Sequence, residues 1–176
     1  MFAGKLRSLL CRRRPLLTIE GRLWEDLLAE LSERGAGERE SGAFLFGLAP
    51  VNGLPRRVVD VVYFDDLDPM SLTGGISFSS TAYGKLWDEC AARDLEVVAD
   101  VHTHPGRWVR QSEIDRAHPM LARSHHVALI VPDFAQRVVA ACEVGVHEYL
   151  GDGRWSSSLG AEAAERFRIE RRRWWR

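Results

Sequence analysis

The residues of this 176-residue chain best suited to chemistry are His102-Thr103-His104-Pro105 and, six residues further on, Ser112-Glu113-Ile114-Asp115. Side chains at i and i+2 of a strand share a face. A strand through the first segment therefore points both imidazoles one way and turns Val97, Ala99, Val101 and Thr103 to the other. Ser112 reads as a helix cap, which puts Asp115 in the first turn of a helix that the intervening loop can fold back over the strand end. Two neutral imidazoles and one carboxylate leave the fourth tetrahedral position of a zinc ion open to water, the arrangement of a catalytic rather than a structural site. Zinc lowers the pKa of such a water to roughly 7, which makes a nucleophile available at neutral pH.

A hydrolytic site also needs a group that moves protons. Glu38 and Glu40 both lie in the polar segment Gly37-Glu38-Arg39-Glu40, where either could serve or both could be solvated loop residues. The plainer alternative for Ser112 and Asp115 is a capping box that only supports the start of a helix, although a capping Ser112 can still reach the site. Asp100 shares the histidine face, where it either orients His102 or His104 through a hydrogen bond or closes the strand end. His118, His125 and His126 read as surface or helix-end residues, and Trp108 as either a contact for a substrate tail or a partly buried loop anchor.

The elements that must hold these residues follow from apolar periodicity and turn signals. Ile19, Leu23, Leu27, Leu28 and Leu31 recur at helical spacing and predict a helix over 18–34, stopped by Gly35 and Gly37. Residues 43–48 and 57–64 are apolar or β-branched runs separated by Pro50, Asn52-Gly53 and Pro55, and read as an antiparallel pair of strands. Residues 65–75 form a loop, and Ser80 or Thr81 caps a helix that runs to about Arg93. A strand over 96–103, a helix over 112–123 and strands over 126–131, 136–144 and 146–150 follow, before a final helix over 161–176. This order predicts an α/β protein with a mixed central sheet and helices packed on it.

With 45% hydrophobic residues the chain can bury one core, and a single main domain over 18–153 is expected, preceded by a basic leader at 1–17. Residues 154–176 form an Arg/Trp-rich C-terminal helix, read either as an exposed face tempered by Glu162, Glu165 and Glu170 or as a contact for a partner, phosphate or membrane surface. A formal net charge of -1 gives no whole-molecule field that favours nucleic acid. Cys11, Cys90 and Cys142 are too scattered for a disulfide framework or a cysteine zinc site, so a reducing cytoplasm is expected. No apolar run has the length of a signal-peptide core or a transmembrane span.

The spacing His-x-His-x7-Ser-x2-Asp, read as His102, His104, Ser112 and Asp115, resembles that of the JAB/MPN metalloenzymes called JAMM or MPN+ proteins. The run Glu40-Ser41-Gly42-Ala43-Phe44-Leu45-Phe46-Gly47 is similar to the Glu-bearing approach to that family's first strand, and the likeness spans roughly residues 18 to 150 by element order. The resemblance implies a JAB/MPN, cytidine-deaminase-like fold and a Zn2+ held by His102, His104 and Asp115. It also implies Glu40 as general acid/base and Ser112 as a donor to the oxyanion. It further implies a zinc-dependent peptidase or isopeptidase that cuts after the C-terminus of a ubiquitin-like protein, with residues 65–75 clamping the modifier's tail and E1-like and E2-like proteins of the same operon as partners. The compact chain is similar to prokaryotic members. Two other classes stand beside it: a non-catalytic MPN scaffold, which lacks the five polar positions present here, and a RadC-like protein associated with DNA repair, which differs in the residues after His104 and before Ser112. A zinc deaminase would need His-x-Glu and Cys-x-x-Cys, and neither is present.

Overall fold

The computed structural model describes residues 14–48, 51, 54–72 and 76–171. The chain enters at strand β1 (Leu17–Glu20) and helix α1 (Gly21–Gly35), then runs through β2 (Gly42–Gly47), β3 (Arg56–Tyr63) and the single turn α2 (Phe64–Leu67). Helix α3 (Ser80–Arg93), β4 (Glu96–Thr103), α4 (Glu113–Ala117) and β5 (Val127–Val131) carry it past the candidate site. It finishes with β6 (Gly145–Gly151), β7 (Arg154–Ser158), α5 (Ala161–Arg166) and β8 (Phe167–Glu170). The strands form one mixed sheet in the order β7-β6-β5-β4-β2-β3-β1-β8. Strand β4 lies near its middle, antiparallel to β2 and parallel to β5.

Alternation along the central strands gives the sheet two apolar faces. Ala43, Leu45, Ala99 and Val101 pack with Trp24, Leu27 and Leu31 of α1, while Phe44, Phe46 and Val97 pack with Phe64, Ala82 and Leu86 beneath α3. Each fully buried side chain of this size stabilises the fold by about 1.5–3 kcal/mol. Val97 departs from the expected alternation. The register between β2 and β4 shifts at Leu45/Phe46, where Val98 is the extra residue of a bulge, and Val97 is thereby turned to the histidine face. Gly42, opposite His102, has no room for a side chain: a Cβ there would lie 2.3 Å from the Phe64 ring and 2.7 Å from the Val101 carbonyl.

Six sequence expectations change. Asp65, Asp66 and Leu67, expected in a loop, belong to α2, and α3 is capped by Ser79, whose side chain accepts the Ala82 amide, instead of by Ser80 or Thr81. The helix expected over 18–34 begins only at Gly21, because Thr18 and Ile19 are buried as a strand between β3 and β8, and the Glu20 carboxylate caps the helix through the Arg22 and Leu23 amides. Helix 112–123 shortens to α4, since Pro119 cannot supply a helical amide donor. Residues 136–144 are not a strand: 3-10 turns at Asp133–Ala135 and Ala141–Glu143 flank Val139, whose carbonyl accepts the Trp24 indole N–H at 2.8 Å. The expected C-terminal helix is replaced by β7, α5 and β8, because Phe167 is drawn into the core against Trp24 at 5.1 Å. Residues 1–13 of the expected leader and 172–176 of the Arg/Trp-rich tail lie outside the described residues. Among the described residues no helix is long and apolar enough to cross a membrane.

Candidate metal centre

Strand β4 ends at the site. His102 and His104 are 7% and 6% exposed, with their Nε2 atoms 3.1 Å apart. The Asp115 carboxylate approaches from α4, with Oδ1 3.7 Å from His102 Nε2 and Oδ2 3.4 Å from His104 Nε2. Four tetrahedral ligands at about 2.0–2.1 Å from zinc would lie a little over 3 Å from one another, so these separations match a shared divalent ion. This is the one cluster of potential metal ligands found among the described residues. Glu40 follows the turn after α1, and its Oε1 lies 3.9 Å from His104 Nε2. Of the two glutamates that the sequence offered, Glu40 stands beside the imidazoles and Glu38 is exposed.

Ser112 is the N-cap of α4. Its hydroxyl accepts the Asp115 amide at 3.1 Å, and Asp115 Oδ2 accepts the Ser112 amide at 2.7 Å, a closed capping box. The box and the metal-facing role are compatible, because one carboxylate group serves both. Capping fixes the Asp115 rotamer with its oxygens toward the imidazoles, and the Ser112 O–H is still free to donate.

The donor set favours a positive charge at its centre. Burial alone would raise the Asp115 carboxyl. The two imidazoles of His102 and His104 close beside it and the Ser112 amide outweigh burial and hold the carboxyl far below the usual carboxylate range. Burial opposes charge on His104, but Asp115, Glu40 and the Trp108 carbonyl together raise its imidazole above the ordinary value. A proton and a divalent cation answer the same attraction, so they compete for this place.

Two supporting groups were not foreseen in the sequence. His104 Nδ1 lies 3.0 Å from the Trp108 carbonyl, which fixes Nδ1–H as donor and leaves Nε2 as the metal-facing lone pair. His147 on β6 holds the same loop: its Nε2–H donates to the Val109 carbonyl at 3.0 Å, and its Nδ1 accepts from the Ser157 hydroxyl at 2.8 Å. Burial pushes the His147 imidazole down to about 4, with the neighbouring His102 and His104 adding to the effect, so it remains neutral. Gly145 makes this contact possible, since a Cβ there would lie 2.0 Å from the Val109 carbonyl. A backbone carbonyl has no sequence signature. The pair Gly145 and His147 at the start of an apolar strand is the one signal that pointed to a close approach.

Other expectations are corrected. Asp100 orients neither ligand; it is buried and accepts from His126 Nε2 at 2.5 Å, because β5 lies parallel beside β4 at this level. His126 is therefore a core residue rather than a surface one, and its Nδ1 has no partner among the described residues. His125 is exposed and bonded to Glu148, and His118 ends α4. The Trp108 side chain is 63% exposed, so it is the backbone of this residue, not the indole, that anchors the loop. A cavity of about 50 Å3 adjoins the site, with Asp100, His102, Asp115, Phe64, Ile76 and Trp155 in its walls.

A mixed sheet of this order, with two strand imidazoles meeting a helix-borne carboxylate, defines an α/β domain built around a candidate divalent-metal centre. The sequence matches the family described as prokaryotic homologs of the JAB domain over residues 23–142, and the chain belongs to that family. It is also similar to two proteins of known solution structure. One, from Desulfitobacterium hafniense, has 17% identity and a TM-score of 0.60, over 89% of this chain and 94% of the other. The second, from Salinibacter ruber, has 18% identity and a TM-score of 0.51, over 79% and 86%. At these identities the likeness concerns the fold.

Proposed function

We propose that this protein is a zinc-dependent peptidase or isopeptidase that hydrolyses the bond following the C-terminus of a ubiquitin-like protein. The observation that carries the proposal is the convergence of His102 Nε2, His104 Nε2 and the Asp115 carboxylate, with Glu40 Oε1 3.9 Å from His104 Nε2. His102, His104 and Asp115 would hold the ion, which when bound supplies a Lewis acid for water and carbonyl oxygen. The Glu40 carboxylate takes the proton of the attacking water and returns it to the leaving nitrogen, so that one water is added as the C–N bond breaks. The Ser112 O–H donates to the oxygen on which negative charge develops. Ile76 stands in the cavity wall with His102, and residues 65–75, which lead into it, would clamp the modifier's tail.

The test uses a ubiquitin-like protein encoded beside this one, fused to a C-terminal extension. The zinc-loaded protein is expected to cut at the junction, and Glu40→Ala to lower the rate by about 10²- to 10⁴-fold while retaining the metal. Equal rates for Glu40→Ala and the wild type, or an intact fusion with both, would overturn the proposal. Metal retention without turnover in either protein would instead favour a scaffold role.

A further inference from the structure

Thr103 stands between the two imidazole ligands in sequence, yet it faces the opposite side of the sheet and is fully buried. There it meets Ser41, the residue that follows Glu40, which is also fully buried. The Ser41 amide donates to the Thr103 hydroxyl oxygen at 3.0 Å, and the Thr103 amide donates to the Ser41 carbonyl at 2.9 Å. The two hydroxyls are 3.4 Å apart, and that of Ser41 donates to the Leu31 carbonyl of α1 at 2.7 Å. The Thr103 O–H is left to donate back to Ser41, to its Oγ at 3.4 Å or its carbonyl at 3.5 Å, while the Ser41 O–H goes to Leu31. The regular pairing of β2 with β4 begins only at Gly42 opposite His102. At Ser41 a side-chain hydroxyl takes the place of a ladder carbonyl.

We propose that Thr103 is a positioning residue for the general base: acting through Ser41, its hydroxyl fixes where the chain leaves the turn after α1 and so where the Glu40 carboxylate stands. This inference rests on the peptidase reading above. A carboxylate on an untethered turn loses rate through misplacement, and a shift of about 1 Å can cost a hundredfold. Threonine joins a β-branch that fills the strand face to an acceptor for the Ser41 amide. Valine keeps the shape and loses the acceptor; serine keeps the acceptor and loses the methyl group.

The experiment compares Thr103→Val and Thr103→Ser in the full chain, alone and with Glu40→Gln. It measures zinc affinity by chelator competition, kcat and KM on the fusion substrate, and hydrogen exchange at the Ser41 amide. Thr103→Val is expected to bind zinc as the wild type does and to leave KM unchanged. Its Ser41 amide should exchange faster, and its kcat should fall about tenfold to a hundredfold. That loss should vanish in the Glu40→Gln background, and Thr103→Ser should restore kcat. Wild-type kcat in Thr103→Val overturns the inference, as does a loss of zinc in step with kcat or an equal loss beside Glu40→Gln. Should Thr103→Val not fold, Thr103→Ala removes the same acceptor with less bulk; faster exchange at the Ser41 amide with a fall in kcat and unchanged zinc affinity supports the inference, and an unchanged kcat overturns it. If Glu40→Gln slows cleavage while Thr103→Val keeps the wild-type kcat, only this inference falls. If Glu40→Gln cleaves the fusion as fast as the wild type, the peptidase reading falls and takes the inference with it.

Discussion

Competition between a proton and a metal ion can be followed at single residues. His104 is raised above the ordinary imidazole value while Asp115 stays ionised far into the acid range. On acidification the imidazole is therefore the group that gains a proton and releases the ion. Zinc affinity measured by chelator competition should fall by up to about tenfold per pH unit for each proton displaced, once the pH passes below the His104 pKa. Asp115→Asn removes a ligand and also the charge that raises His104. It should weaken zinc by more than the about 10- to 100-fold that follows loss of an outer hydrogen-bond partner, and its pH dependence should begin at a lower pH. The ligands themselves were legible in the sequence because strand alternation, Pro105 and a capping serine are local signals. The Trp108 carbonyl was not legible, since every residue but its neighbours offers the same group, and Asp100 found His126 only through a parallel pairing of distant strands.

Among the elements, the start of β6 and the loop between His104 and Ser112 act together through His147. Its folded pKa of about 4 lies below the ordinary 6.5, so the unfolded chain binds the proton more readily across that interval. Stability should be fully present above about pH 6.5, decline as the pH falls toward 4, and change no further below it, with a total on the order of 3 kcal/mol. His147→Gln retains an N–H for the Val109 carbonyl and cannot titrate. In urea unfolding at pH 7 and pH 5 the variant should lose less stability between the two conditions than the wild type. Strand β4, both members of the β2–β3 pair and α3 were legible to within a residue or two because burial there follows a clean period. Strands β1 and β8 were hidden for a definite reason. Each is four residues long and pairs only with strands distant in the chain, β1 with β3 and β8 and β8 with β1, so neither carries a pattern that a local window could weigh against a helix.

At the scale of the whole molecule, a zinc ion held by His102, His104 and Asp115 would be a stabilising ligand. At free zinc about a hundred times its dissociation constant, linkage adds about 2.7 kcal/mol to the folded state. For a chain of 176 residues that corresponds to a Tm higher by about 5–10 °C, and a chelator should remove it. Scanning calorimetry with and without zinc measures the difference; an unchanged Tm would mean that the ion finds no folded site. The mixed sheet and the presence of one core were legible from composition and element order, whereas the place of the last strand was not.

That last strand has a temporal consequence. Leu17 is held between Arg56 and Phe167, so β1 cannot find its outer neighbour until residues 167–170 have left the ribosome, about 150 residues later. Glu40, His102, His104 and Asp115 all emerge well before that moment. During synthesis the metal ligands can be in hand while the far border of the sheet is still raw, and an unpaired border of that kind invites association with other nascent chains.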